Sequence, residues 1–362
     1  MSKPRILVLT AAGRTGLPIA LQLLSEGFPV TAFVHKEDHR SARLKAKGAD
    51  IVAGSITDVN DMRKAMEGAR RAYFCTPPAE GNLKAAAIFT AVAAEQKLES
   101  LVAMSQWLSN PNHPALHTRE VWLADQLFAL LPETSVTFIN PGFFADNEMQ
   151  VLPFVAQFGL LTLPYGSGLN APPSNEDMAR VAAEILARPE EHVGKTYRIT
   201  GSKLLSPQEI AATFAKVLGR KVRYINMPMW MLAKVMKGMG MSSYSIAMYQ
   251  QYAIDYQRNT FAVTAPTDVV RTITGREPED FETIARRYVS NTPEVKRSLS
   301  MQLKLILLMV VSMLRPTLKT APYLALGEFS DPAHIVLSAD SSEWRQSHEL
   351  HTHESAKQET YR

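Results

Sequence analysis

The feature that most constrains this chain is the regular alternation, over its first 140 residues, of short aliphatic runs with helix-length stretches. Ile6–Leu9, Phe28–Val34, Ala49–Gly54, Arg71–Cys75, Ser100–Met104 and Ser135–Ile139 each read as a strand. These runs are short and largely uninterrupted by charge, as strands covered on both faces must be. Strand–helix succession of this kind predicts an α/β fold built on a doubly wound parallel sheet with right-handed crossovers. The punctuation agrees. Gly27 suits the residue just past the first helix, Gly48 and Gly68 stop the next two, and Thr57 or Asp58 can cap the third.

Beyond Pro141 the alternation loosens. Residues 165–174 are a Gly/Pro-rich connection and 177–187 are helical in pattern, while 195–201 and 221–228 read as strands. Between those strands Ser206, Pro207 and Glu209 form the start of a capped helix. Three segments are expected: a doubly wound unit over 1–150, a smaller substrate region over 151–290, and a C-terminal extension over 291–362. The second segment should cover the carboxyl edge of the sheet, where such folds bind ligands.

Of the 362 residues, 46% are hydrophobic and 20% charged, which suits a globular chain of about two domains. The formal net charge of +4 is scattered, so no nucleic-acid partner is expected. Cys75 is the only cysteine, which excludes an intrachain disulfide and fits a reducing compartment. The first residues run straight into a strand pattern and leave no room for a signal peptide. The longest apolar run, Leu305–Leu314, is interrupted by Ser312 and falls short of the ~18–20 residues that span a bilayer. A cytoplasmic protein with no transmembrane segment is expected.

The first strand runs directly into Thr10-Ala11-Ala12-Gly13-Arg14-Thr15-Gly16 and then a helical pattern. Backbone amides at such a helix mouth suit a pyrophosphate, and glycines permit the close approach. The last two glycines of a Gly-x-x-Gly-x-x-Gly loop are present, and Thr10 replaces the first. A threonine fits there if the turn needs no positive φ, and its hydroxyl is free to donate to a phosphate. Thr10, Gly13, Arg14, Thr15 and Gly16 are therefore the expected pyrophosphate site. At the end of the second strand, where an acid would bind the ribose of NAD(H), stand His35 and Lys36, followed by Glu37 and Asp38. The two basic residues, with Arg14, suit a 2′-phosphate and make NADP(H) the expected cofactor over NAD(H).

With these residues in place, the chain resembles the NmrA-like group of atypical short-chain dehydrogenases/reductases over roughly residues 3 to 290. The loop at 10–16, the stretch Gly48–Asp58, the sequence Phe74–Pro78 and the segment Asn140–Asn147 carry the resemblance together. Departures are Thr10 for glycine, Ser55 for aspartate and Asn140 for arginine. The resemblance implies a Rossmann-like fold with Thr76 and Pro77 beside the cofactor's ribose. It places Ser105 and Gln106 at the nicotinamide, and Pro141, Gly142 and Phe143 as walls of a substrate pocket. Trp107 joins that wall, whereas Phe144 is assigned to core packing.

Ordinary members of the wider group use Tyr-x-x-x-Lys as their acid–base pair, and none of the eleven tyrosines here has lysine four positions on. In related reductases lacking that tyrosine, a lysine near the start of the helix after the fifth strand takes over. His117 holds a comparable place, with Asp125 on nearly the same face, and is the candidate proton donor. A small conjugated carbonyl or quinone-like substrate can accept hydride without such a donor. The resemblance implies either that reductase or a noncatalytic NADP(H)-responsive regulator. No metal site is expected: His348, His351 and His353 are spaced like ligands but lie in a polar tail where disorder is expected. Residues 227–241, with six methionines, read as a core helix rather than an adaptable lid. Leu303–Leu314, bracketed by Lys304 and Arg315, is open to a membrane interface, a partner or packing on the domain. For want of a clear polar face it reads as a helix docked on protein, in cis or between copies.

Overall fold

The first strand, β1 (Ile6–Val8), is buried on both faces and pairs in parallel with β2 (Val30–Val34) on one side. The computed structural model describes residues 3–316, 320, 323–324 and 336–348. Strands β3 (Asp50–Ala53), β4 (Arg71–Phe74), β5 (Ser100–Met104) and β6 (Ser135–Ile139) follow in the expected places. After β7 (Leu160–Leu163), a short β8 (Thr196–Tyr197) returns to the main sheet. The resulting seven-stranded order is β3-β2-β1-β4-β5-β6-β8, every pairing parallel. The predicted Rossmann-like, doubly wound sheet is therefore present.

Helices α1 (Gly16–Ser25), α2 (His39–Ala46), α3 (Val59–Met66), α4 (Asn82–Glu95) and α5 (Leu116–Ala129) connect the strands up to β6. Asp58, rather than Thr57, caps α3 by accepting from the amides of Asn60 and Asp61. Three more helices, α6 (Ala145–Met149), α7 (Leu152–Phe158) and α8 (Asn175–Ala187), follow β6. On one face of the sheet, Ile6 and Val8 meet Ile19 and Leu23 of α1 and Met178, Val181 and Ile185 of α8. On the other, Leu7 and Leu9 join Phe74, Phe89 and Phe128, whose rings pack edge-on at 4.8–5.9 Å. Because β8 and α8 lie beyond residue 150, both of the first two expected segments contribute to one sheet and its cover.

A second core lies at the carboxyl edge. There β7 pairs with a later strand, β9 (Arg223–Asn226), under α9 (Pro207–Leu218), whose Ser206–Glu209 capping box forms as predicted. The chain continues through α10 (Met229–Gly238), α11 (Ser243–Gln257), α12 (Val269–Thr274), α13 (Phe281–Asn291) and α14 (Leu299–Leu314). Leu161, Ile210, Phe214, Phe281 and Ile284 fill this core together with Trp107 and Phe143, which arrive from the ends of β5 and β6. A buried hydrogen-bond chain fastens the two cores. His113 accepts from the Ala115 amide at Nδ1 (3.0 Å), so Nε2 carries the hydrogen and donates to Asp255 of α11 at 2.9 Å. The Thr260 hydroxyl donates to the other oxygen of Asp255 at 3.0 Å.

Two C-terminal expectations change. The methionine-rich segment is helical, but Met236 is the one fully buried residue of α10; the helix lies at the surface beneath α14 rather than in the core. A Cβ on Gly238 would come within 1.9 Å of Ser312 Oγ, so the absent side chain is what lets α10 and α14 cross this closely. Part of the polar tail is also ordered against the fold. Trp344 donates from Nε1 to the Trp107 carbonyl at 3.1 Å, and His348 stacks on Trp344 at 4.1 Å. His351 and His353 lie outside the described residues.

Removing the central acceptor of the buried chain tests its worth. Asp255→Ala leaves the hydrogens of His113 and Thr260 buried without partners and should cost about 3 kcal/mol in denaturant melts.

Candidate nucleotide and substrate site

The loop after β1 is fastened to its neighbours before α1 begins. The Leu9 amide donates to the Tyr73 carbonyl at 3.1 Å and the Ala11 amide to Phe33 at 3.0 Å. Thr10 sits between them at φ +48°, contrary to the requirement set by its identity, because a β-branched side chain disfavours this region. The turn is held by the Gly13 amide, which donates to the Thr10 carbonyl at 2.7 Å. The Thr10 hydroxyl donates to the Cys75 carbonyl at 3.0 Å and so is committed to protein rather than to a phosphate.

That turn explains the two remaining glycines. A Cβ on Gly13 would stand 2.8 Å, and one on Gly16 2.5 Å, from the Thr10 carbonyl oxygen. Helix α1 opens with no side-chain cap at Thr15 and no acid in its first turn. The Thr15 hydroxyl is turned inward, accepting from Tyr73 at 3.2 Å, so only its amide can serve a ligand. First-turn amides lack intrahelical acceptors, and an uncapped, acid-free mouth with a backbone cradle too tight for a Cβ fits a pyrophosphate.

His35, Lys36 and Glu37 are exposed just past β2. Asp38 turns away to cap α2 and pairs with Arg40 at 2.6 Å, which holds its carboxyl well below the usual range. Neither Asp38 nor Arg40 is therefore free to read the ribose. Arg14 leaves the loop and pairs with Asp146 of α6, whose other oxygen accepts from Tyr288 of α13. Its guanidinium thus bridges the loop to the second core.

At the end of β4, Thr76 is half-buried and Pro77 exposed. At the end of β5, Ser105 donates to Asp125 of α5 at 2.5 Å and Ser109 donates to the same oxygen at 3.1 Å. Burial raises the Asp125 carboxyl to about 7 against the opposing effect of the two hydroxyls. Gln106 accepts from Tyr252 of α11 through Oε1, while its buried Nε2 has no partner among the described residues. A buried amide without a partner is uncommon in a folded chain.

The pocket walls divide. Phe143 packs against Tyr165, Tyr256 and Phe261 and reaches an apolar cavity of about 240 Å³. Trp107 does not line it: its Nε1 donates to the Thr260 carbonyl at 2.9 Å, and Arg198 lies 3.3 Å from its ring centre. Pro141 and Gly142 are buried behind Phe143, with the Pro141 carbonyl taken by the Trp107 amide. The cavity lies between α7, β7, α10, α11 and α14 and includes Asn147, adjacent to the Arg14 partner Asp146.

His117 departs most from its expected role. Asn82 donates to its Nδ1 at 2.9 Å and Tyr244 lies 3.1 Å from the same atom. Enclosure lowers the imidazole to about 4, with His113 adding to the effect, so it is not poised near neutrality. Asp125 is spent on Ser105 and Ser109 rather than on His117. The sequence reading does not single out Asp146, Tyr249, Tyr252 or Tyr288; the spacing Tyr249, Tyr252, Tyr256 on one helical face signals only the pair on α11.

Two outcomes follow from this geometry. Thr10→Gly exchanges backbone strain for a lost hydrogen bond and should shift stability by less than about 1 kcal/mol. By calorimetric titration it should keep NADPH affinity within about threefold, while Gly13→Val weakens it at least about tenfold by obstructing the helix mouth. The second concerns pH. Asp125 has a folded value near 7 against an ordinary 3.8, so its contribution to stability is full at low pH and is lost as pH rises across that interval. His117 acts oppositely, losing stability as pH falls from 6.5 toward 4. Thermal melts of Asp125→Asn should therefore gain on the parent as pH rises from about 4 to about 7 and level off above that.

The fold has counterparts among known proteins. An NAD(P)H azoreductase from Xenophilus azovorans is 26% identical over 302 residues, covering 79% of this chain and 98% of the relative. The NADPH complex of a quinone oxidoreductase from Escherichia coli superposes with a TM-score of 0.69 at 17% identity, covering 78% of this chain and 99% of that one. NmrA, a negative transcriptional regulator bound to NADP, superposes with a TM-score of 0.64 at 18% identity, covering 82% and 99%. A match to the family's own sequence pattern runs over residues 2–282. This chain belongs to the NmrA-like family.

Proposed function

We propose that the protein is an NAD(P)H-dependent oxidoreductase that reduces a small, conjugated carbonyl or quinone-like compound, with NADP(H) preferred. The observation that carries this reading is an uncapped, glycine-pinned helix mouth at the same sheet edge as an apolar cavity of about 240 Å³. The backbone amides of Arg14, Thr15 and Gly16 would hold the pyrophosphate, with Gly13 leaving the room for it and Thr10 shaping the turn through its carbonyl. His35 and Lys36 would take a 2′-phosphate, and the withdrawal of Asp38 onto Arg40 supports that preference. Thr76 and Pro77 would flank the ribose, and the spare amide of Gln106 would meet the carboxamide. When bound, the cofactor supplies hydride.

The chain's own contribution to protonation is read differently from the sequence. Asp125 keeps a proton up to about pH 7 and touches Ser105 at the end of β5. Ser105 is the group through which that proton would reach a developing oxyanion, a role to which His117, lowered to about 4, is poorly matched. The azoreductase and quinone oxidoreductase relatives support reduction; the regulator NmrA supports the alternative of NADP(H) sensing without turnover.

Purified protein with NADPH and a panel of quinones, azo dyes and enals should show loss of nicotinamide absorbance. Asp125→Asn should lower kcat by about a hundredfold and abolish the decline in rate above about pH 7, where the parent carboxyl loses its proton. His117→Ala should leave kcat near the parent value. NADPH binding with no turnover on any acceptor would establish the regulator instead.

A further inference from the structure

Helix α14 carries one face against α10 and α7 and, among the described residues, leaves the other uncovered. Leu299, Leu303, Leu307 and Leu314 are 63–81% exposed, and Trp230 of α10 is 57% exposed on the same subdomain. The helix has 16 residues, a length of about 24 Å, which is too short to cross a hydrocarbon core of about 30 Å. It can lie along a bilayer surface but not across it.

The chain segments that carry these two helices hold charge of one sign. Residues 295–316 contain Lys296, Arg297, Lys304 and Arg315 and no acid. Residues 220–254, which include α10, contain Arg220, Lys221, Arg223, Lys234 and Lys237 and again no acid. Two copies meeting through this face would bring these cations together, whereas anionic headgroups would neutralise them. The inner sides of the same helices line the apolar cavity, through Met236 of α10, Met239 just past its end, and Leu305, Leu308 and Met309 of α14. A plane that covers the outer face therefore lies one helix thickness from the cavity.

We propose that the α10–α14 face docks on an anionic lipid bilayer, and that the cavity beneath it takes a lipophilic acceptor from that bilayer. The docking stands on exposure and charge alone; uptake of the acceptor rests on the reductase reading. Lys234 donates to the Met313 carbonyl at 2.7 Å and Arg315 to the Lys237 carbonyl at 3.1 Å, so the two helices are clipped together as one platform. Methionines on the cavity side give a lining that can adapt to an unbranched or isoprenoid tail.

The full chain should sediment with vesicles of mixed phosphatidylcholine and phosphatidylglycerol and far less with phosphatidylcholine alone. Leu303→Glu combined with Leu307→Glu should reduce vesicle binding by about tenfold or more, and Arg297→Glu with Lys304→Glu should erase the preference for anionic lipid. All four positions are exposed and off the cavity, so both variants should retain the parent circular dichroism and the parent rate on a water-soluble short-chain quinone. The rate on a long-chain quinone embedded in those vesicles should fall about tenfold in the leucine variant. Parent protein left in the supernatant with anionic vesicles overturns the docking. So does a dimer in light scattering that the leucine substitutions dissociate, since a second copy then covers the face. Intact vesicle binding with no oxidation of NADPH by either quinone overturns the uptake and the reductase reading while leaving the docking in place.

Discussion

The entrance to α1 depends on where one carbonyl points. Thr10 adopts a left-handed turn, and its carbonyl oxygen lies so close beneath the next two turns of chain that neither Gly13 nor Gly16 has room for a Cβ. The helix therefore starts tight against the strand ends with no side chain across its mouth. A left-handed threonine costs about 1–2 kcal/mol. The Gly13 amide and the Thr10 hydroxyl, bonded to Thr10 and Cys75 carbonyls, offset it. The substitution of the first glycine is thus accommodated by hydrogen bonding around an unfavourable φ, not by relaxing it.

The remainder of the site is assembled by contacts between distant parts of the chain. The end of β5 delivers Ser105 and Gln106 to the mouth of the sheet and then sends Trp107 and His113 into the second core. Because α11 meets that segment through Asp255, Thr118 and Gln106, its tyrosines are held in register with the sheet edge. Arg14 and Asp146 tie the loop to α6 in the same manner. A shift of the second core relative to the sheet would be felt at once by the groups proposed to hold and protonate substrate.

Burial sorts the ionisable candidates. Desolvation disfavours the charged form of any group, so it raises a carboxyl and lowers an imidazole. The same physical cause brings Asp125 up to about 7 and sends His117 down to about 4. The histidine leaves its ordinary titration range on folding, and Asp125, its neighbour along the helix, moves into it. Tyr244 and Asn82, which enclose His117, come from α11 and the start of α4, 127 and 35 residues away.

Sequence by itself determined the six leading strands, the helices between them, the capping box at Ser206 and the glycine-dependent loop. Each of these is set by residues within a few positions of one another, through side-chain periodicity, caps and backbone freedom. It also showed the lack of a Tyr-x-x-x-Lys pair. Only the tertiary structure decided that Thr10 carries a positive φ, that Trp107 is packed under Arg198 and Trp344 instead of lining a pocket, and that the methionine-rich helix lies at the surface. The same holds for the Asp125–Ser105 pair and the Arg14–Asp146 bridge. These outcomes turn on which long-range partners come within hydrogen-bond distance and how much water they exclude, and neither quantity is encoded in local pattern.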